Sequence, residues 1–442
     1  MRYNKRIVFC AVVVFCFAWL GVVPTQAQTT DALGTFTPYS LYGIGDLAVQ
    51  GTGYNRAMGG VGVGMRDNRF INYINPAAIT ERDTLSFMLD FGVNQNNHYG
   101  TAKNTNFAYN TFSVQNFVFT TPIYKSSALV VGVAPYSNIG YKFESAELDD
   151  QIEAVVGDVR YQQYGTGSVS QLFVGAAATF FDRLSVGGQM IYYFGSLNRH
   201  SNVLYNSNAS YRNLFTGWDY SIHTVSGKFG IQYEEVIGKK RQSKIVLGAT
   251  YRMGMNMNGE LARYVLSSNS QTISSSSSVA DTILFAQSAT GLSIPDEFAV
   301  GVSFIHQDRW VFGFDYQYQD WRDVKIPVVS NRFSSMRAQA FRAGVQWTPN
   351  RYDIRYYLKR VTYRGGFYYD QSYLGFDGEQ ISSVGFTLGM SLPIYRWYNS
   401  LTIGLDVGQK GITGTTLLKD RYAKFFLSIN LHDVWFQKYR YE

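Results

Sequence analysis

Between residue 84 and Leu431 the chain alternates between apolar and polar positions. From Thr84 to Asn94, Leu85, Phe87, Leu89, Phe91 and Val93 take every second place, with Ser86, Asp90 and Gly92 between them. A period of two sends successive side chains to opposite faces of a strand, whereas a helix would repeat near 3.6. The pattern predicts fourteen strands, near 84–94, 111–121, 127–136, 168–181, 183–197, 224–235, 243–254, 295–306, 309–320, 336–348, 362–371, 379–393, 400–409 and 420–431. Connections after even-numbered strands are mostly tight, as at Phe181-Asp182 and Gln307-Asp308, while those after odd-numbered strands include 137–167, 198–223 and 255–294. The turn at 349–361 is longer than its counterparts.

A strand with one apolar and one polar face can cross a bilayer only in a closed ring, where every backbone donor and acceptor is paired. The expected fold is therefore all-β: a 14-stranded antiparallel transmembrane β-barrel at 84–431, with short turns facing the periplasm and long loops facing outward. Trp310, Phe312, Phe314, Tyr316 and Tyr318 alternate with Val311, Gly313, Asp315, Gln317 and Gln319, so the aromatic set is assigned to lipid. The other face then brings Asp315 and Asp406 into the lumen, and by the same logic Arg342, Arg364 and Lys424. Composition alone also permits a large soluble β-sandwich, but a dry sandwich core accepts so many charges only at high cost.

The ends fit a membrane protein of a Gram-negative outer membrane, surrounded by lipid and lipopolysaccharide. Arg2, Lys5 and Arg6 precede an apolar run from Ile7 to Val23 and then Thr25-Gln26-Ala27, which reads as a signal peptide, 1–27, cut after Ala27. The alternative is an uncleaved anchor, since the run is nearly long enough to span. Both cysteines, Cys10 and Cys16, fall inside the signal, so the mature chain would hold no thiol. The last strand puts Phe425, Leu427, Ile429 and Leu431 on one face ahead of Trp435 and Phe436, like an outer-membrane insertion signal, but the chain runs on through a periplasmic tail, 432–442.

Charge and composition narrow the partners. Without Arg2, Lys5 and Arg6 the 39 basic residues exceed the 32 acids by only four, and they are scattered, which does not describe a nucleic-acid surface. Aromatic residues reach 16%, with 34 Tyr and 31 Phe, matching the interfacial girdles of a barrel. The stretch 267–278 is a polar, serine-rich run, read as a solvated loop tip.

Residues 28–83 do not alternate and are rich in glycine and asparagine, which suits a hatch or plug folded inside a barrel. They contain Gly59-Gly60-Val61-Gly62 and Asn75-Pro76-Ala77. Here the chain resembles the FadL family, including TodX-like members: outer-membrane transporters of hydrophobic compounds built as 14-stranded barrels with an N-terminal hatch. Gly59, Gly60, Gly62, Asn75, Pro76 and Ala77 match the hatch motif, but Met65-Arg66-Asp67-Asn68 stands where the family has an acidic pair. Val133-Ala134-Pro135-Tyr136-Ser137-Asn138-Ile139-Gly140-Tyr141 resembles the end of the family's third strand, and Pro295 to Trp321 resembles a later hairpin.

The resemblance implies capture of an apolar small-molecule ligand at the outer loops, rearrangement of the hatch and lateral exit near strand three, at Pro135, Ser137, Asn138 and Gly140. Pro135 and Gly140 suit a kink, and equally a plain strand end. The alternative function is a FadL-like barrel serving as a protein-binding subunit or scaffold of a secretion or barrel-assembly complex in the envelope. No enzyme, cofactor or metal site is expected. His98, His200, His223, His306 and His432 stand apart without ligand spacing, the glycine run lacks the third glycine of a dinucleotide fingerprint at Met65, and no G-x-S-x-G is present.

Overall fold

The computed structural model describes residues 35–434 except 83–85, 103–104, 125, 147–149, 206–210, 239–241, 271–279, 326–331, 395–398 and 412–418. The expected signal peptide, most of the serine-rich tip and residues 435–442 of the C-terminal tail lie outside the described residues, while 432–434 belong to the last strand. Fourteen long antiparallel strands form the wall: β1 (Ser86–Ala102), β2 (Thr105–Tyr124), β3 (Ser127–Ala146), β4 (Val159–Phe180), β5 (Leu184–Tyr205), β6 (Asn213–Ile237), β7 (Ser243–Arg252), β8 (Glu297–His306), β9 (Trp310–Asp320), β10 (Arg337–Trp347), β11 (Thr362–Phe376), β12 (Glu379–Pro393), β13 (Ser400–Gly411) and β14 (Lys419–Val434). Each pairs with its sequence neighbours, and the ladder from Ser86↔Val434 to Thr101↔Lys419 joins the first strand to the last. The ring is closed.

The short turns follow from local dihedral chemistry. Phe181 and Asp182 have φ of 54° and 56°, and Gln307 and Asp308 have 54° and 51°, so the first two residues of each three-residue connection are left-handed. That geometry matches the twist of antiparallel strands, and hydrogen-bonded ladders flank both turns.

The two faces sort as alternation requires. On β9, Trp310, Phe312 and Phe314 are exposed, whereas Val311 and Asp315 are buried. Trp310, Trp347 and Tyr363 form one aromatic row along the rim that carries the short turns, with ring centroids 5.6 and 5.7 Å apart. On β6 the outward row Tyr233, Ile231, Phe229 and Val225 is apolar and exposed, and above it His223 and Ser221 take the same face. The outward apolar row ends there.

The wall nevertheless continues. Strands β4 and β5 run 22 residues and β6 runs 25, about twice what a crossing needs. The stretches 137–167 and 198–223, expected as loops, are largely strand extensions, and 255–294 carries a hairpin, Gly259–Ser268 with Asp281–Ala289, paired to the upper half of β6. Ladder hydrogen bonds hold a strand above the bilayer as well as within it. Water on both faces removes the alternation that made the lower halves readable.

Residues 35–82 lie against the inward-facing side of the wall. Ile44, Tyr54, Met58, Val61 and Met65 are almost wholly buried. Local structure is short: 3-10 turns at Pro38–Leu41 and Pro76–Thr80, one helical turn at Gly53–Arg56, and a two-residue strand, Asp46–Leu47.

Candidate functional site

The N-terminal segment is fixed to the wall by its backbone. Asp315 accepts hydrogen bonds at one carboxylate oxygen from the N–H of Gly62 (2.6 Å) and of Val63 (2.8 Å). Thr387 Oγ1 accepts from Gly59 N–H at 2.8 Å and donates to the Ala57 carbonyl. Ser303 Oγ donates to Gly64 O, and Gln232 Nε2 to Val63 O. Asn75 Oδ1 accepts from Ala77 N–H, while its Nδ2 donates to the Val63 and Ile231 carbonyls. Pro76 opens the 3-10 turn where a missing N–H costs nothing.

Glycines on the wall make this approach feasible. A Cβ at Gly366 would overlap Gly59 N, one at Gly248 the Val63 carbonyl, and one at Gly230 the Asn75 side chain. Glycine inside a strand commonly marks close approach by another backbone. Of the hatch-motif residues, Gly59, Asn75, Pro76 and Ala77 therefore face glycines or a hydroxyl of the barrel, while Gly60 faces Arg342 and Gly62 the Asp315 carboxylate. Gly59 and Gly60 also have φ of 71° and 85°, which a side chain would strain.

The departure at Met65-Arg66-Asp67-Asn68 has a structural counterpart. Arg66 Nη2 lies 2.9 Å from Glu81 and its Nε 3.6 Å from Glu234, while Arg69 pairs with Asp67 at 2.6 Å. These cations tie the segment to itself and to the lower end of β6.

All five charges assigned to the lumen face inward. Asp315 sits opposite Arg342 in the β9–β10 register, and Arg342 Nε lies 3.6 Å from Asp370. Asp406 is opposite Lys424 and accepts from Tyr368 OH at 2.7 Å. Arg364 stacks over Tyr54 and Phe70, with its guanidinium 4.8 and 4.4 Å from the ring centres.

Beside the segment lies a cavity of about 310 Å³. Polar pairs line it: the ion pairs Arg252 to Glu297 at 3.0 Å, Lys228 to Glu297 at 3.6 Å and Lys410 to Asp46, and His98 against Asp420 at 3.0 Å. Tyr73, Phe173 and Ile191 supply apolar wall between them. Among the described residues no group of three or more His, Cys, Asp or Glu is arranged to hold a metal ion.

Pro135, Ser137, Asn138 and Gly140 lie together on β3 where the wall is open. The β2–β3 ladder runs only from Phe117↔Val133 to Tyr124↔Ser127. Above it, β2 pairs with β1 and β3 with β4, and the β3–β4 register shifts between Pro135 and Ser137. The freed edge of β3 is covered from inside. Asp46 and Leu47 pair with Asn138 and Ser137, Ala48 N–H donates to Tyr136 O (2.8 Å), Thr37 N–H donates to Gly140 O (2.9 Å), and Gly140 N–H donates to Ser40 Oγ (3.1 Å). Phe36 stacks on Tyr109 of β2 with centroids 3.5 Å apart, bridging the gap. Sequence reasoning missed this seal, because Asp46–Leu47 is too short to show a period.

The same architecture occurs in solved structures. The Pseudomonas putida toluene transporter TodX superposes with a TM-score of 0.58 at 14% identity, over 89% of this chain and 100% of that one. The monoaromatic hydrocarbon channel CymD gives 0.56 at 14%, over 86% and 97%. The Ralstonia pickettii toluene transporter TbuX gives 0.55 at 16%, over 86% and 98%. At these identities the likeness establishes a FadL-type barrel and its topology. No curated protein matches the sequence. The family model that does match, BamG, runs from residue 5 to residue 442, through the inner segment, the seam and every strand of the wall, and the chain belongs to the BamG family.

Proposed function

We propose that this chain is a closed outer-membrane barrel that serves as a protein-binding subunit or scaffold of an envelope complex for protein secretion or barrel assembly. The observation that carries the reading is how the lumen is shut. The inner segment is held through its backbone by Asp315, Thr387 and Ser303, and the cavity beside it is lined by ion pairs. A site for an apolar compound is ordinarily lined by apolar and aromatic groups with few polar ones. Fixed charges are costly to desolvate against such a ligand. Membership of BamG, matched end to end, is consistent with a role apart from that of the channels sharing the fold. Purification from native membranes in mild detergent, followed by mass spectrometry, tests the reading. A protein partner should accompany the chain in fixed ratio, and recovery of the chain alone with a lipid-like molecule would overturn it.

A second reading is favoured by one specific observation, the unpaired β2–β3 seam. In it, residues 28–83 act as a hatch, an apolar compound is captured at the outer loops, and the compound leaves laterally past Pro135, Ser137, Asn138 and Gly140. The solved relatives named as toluene and hydrocarbon channels share the fold this would use. Accumulation of a long-chain fatty-acid probe, compared between wild type and a strain lacking the protein, tests it. Equal uptake removes it.

A further inference from the structure

The turn between β10 and β11 is unlike the other periplasmic connections, and the function above does not use it. Residues 349–360 carry Arg351, Arg355, Lys359 and Arg360 against a single acid, Asp353. They also present Tyr352, Ile354, Tyr356 and Leu358 to solvent, with Ile354 93% exposed. The turn is nonetheless built. Asn350 N–H donates to Lys359 O at 2.9 Å, closing it, and Asp353 Oδ1 accepts from the N–H of Arg355 and of Tyr356 at 2.9 and 2.7 Å.

Two bonds fix where this unit hangs. Tyr363 OH donates to Leu358 O at 3.1 Å, and Tyr357 OH donates to Pro393 O at 2.9 Å. Tyr363 belongs to the lipid-facing row with Trp347 and Trp310, so the turn is fastened to the outer wall at the aromatic rim. Lys359 and Arg360 lie over the rings of Tyr356 and Tyr357, at 4.6 and 5.1 Å from their centres. Aromatic and aliphatic groups with cations along an amphipathic surface are the composition that settles at a headgroup boundary.

We propose that residues 349–360 form a membrane-binding foot, which inserts Ile354 and Leu358 into the periplasmic leaflet and recruits anionic phospholipid through Arg355, Lys359 and Arg360. The occupant is argued from continuity with the lipid-facing girdle and from a charge excess opposite to that of an anionic headgroup.

The mature chain carries no cysteine once the signal is removed, so Ile354→Cys accepts a single environment-sensitive fluorophore. Full-length mature protein is reconstituted into phosphatidylcholine vesicles with and without phosphatidylglycerol, with Ser288→Cys on the outer hairpin as the water-exposed control. The label at position 354 should show blue-shifted emission, be quenched by lipids spin-labelled near the headgroup, and resist aqueous iodide. The label at position 288 should behave oppositely. Native mass spectrometry should find phosphatidylglycerol enriched several-fold over its bulk ratio on the wild type. Enrichment should fall to the bulk ratio in the Arg355→Ser, Lys359→Ser, Arg360→Ser triple variant, provided it keeps a heat-modifiable band. Iodide quenching at 354 equal to that at 288 overturns the proposal. So does shielding that appears only in native membranes with a cross-linked protein, which would make the turn a protein-docking site, and so does lipid enrichment unchanged in the triple variant.

Discussion

Replacing Asp315 by leucine should free the inner segment from the wall while leaving the barrel closed. The carboxylate accepts two backbone hydrogen bonds, from Gly62 and Val63, at 2.6 and 2.8 Å in a buried setting. Bonds to a charged acceptor contribute about 1.5–3 kcal/mol each, and a buried donor left without a partner costs about 1–3 kcal/mol. The two amides keep no other acceptor in this position. Gly64 O and Val63 O stay bound to Ser303 and Gln232, which limits the loss. The net weakening is therefore placed at roughly 3–5 kcal/mol, between one charged bond and two.

Because each 1.4 kcal/mol is a factor of ten, local opening around Gly62 and Val63 should become about a hundred- to several-thousand-fold more frequent. Hydrogen exchange read on peptides covering residues 59–66 measures this directly. Asp315→Asn, which keeps one acceptor oxygen, should fall between the leucine variant and wild type. Exchange unchanged in Asp315→Leu, with the heat-modifiable band intact, would refute the idea that Asp315 anchors the segment.

Three further outcomes follow from the same geometry. Gly140→Trp places a side chain where Thr35 O now lies, so it should expel residues 35–40 from the β3 edge and raise ion conductance in planar bilayers; wild-type conductance would mean that the seal is not at this edge. Phe36→Cys with Tyr109→Cys, whose rings now stack at 3.5 Å, should cross-link across the seam under mild oxidant, seen as a shift on non-reducing gels; the bridge should abolish uptake of an apolar probe if the seam is an exit, and lower complex formation if a partner strand takes this edge. Asp353 is held below the usual carboxylate range chiefly because Tyr356 N–H, and then Arg355 N–H, donate to it. A carboxyl depressed on folding adds order that is present above its unfolded pKa and lost as pH falls through its folded one, so protease cutting at 351–360 should rise on acidification, and less so in Asp353→Asn.

How much of this was legible depended on what the solvent demanded of each face. Trp310 to Tyr318 could be assigned because lipid selects one face and the lumen the other, and Phe181-Asp182 could be read as a tight turn because the runs around it were so close. The upper halves of β4, β5 and β6 could not, since water wets both faces there and only backbone bonding keeps the strand. Gly248, Gly230 and Gly366 become meaningful only when Val63, Asn75 and Gly59 are placed against them. Asn75-Pro76-Ala77 matched a motif, yet nothing local indicated that its side-chain amide would reach Ile231 on the wall. Arg66 read as a departure from a motif, and its partners Glu81 and Glu234 lie 15 and 168 residues further along the chain.

The seam also bears on which of the two functions the fold is built for. Opening it means breaking the pairing of Asp46 and Leu47 with β3, the bonds from Thr37, Ser40 and Ala48, and the bond from Gln50 to Pro135. At about 0.5–1.5 kcal/mol for each net hydrogen bond, six such bonds amount to roughly 3–9 kcal/mol. A ligand shifts an equilibrium only by its differential affinity for the two states. A small apolar compound has no donors or acceptors for the exposed edge, so its contacts elsewhere would have to supply the whole difference. A partner protein presenting a strand would replace the lost bonds nearly one for one, because β-strand addition uses the same backbone groups. The energetics of this edge therefore favour exchange of one polypeptide for another over passage of a hydrocarbon. A cysteine scan of Thr37 to Gln50 during native complex formation separates the two: residues that become accessible only when a protein partner binds support exchange, and residues that become accessible with apolar compound alone support passage.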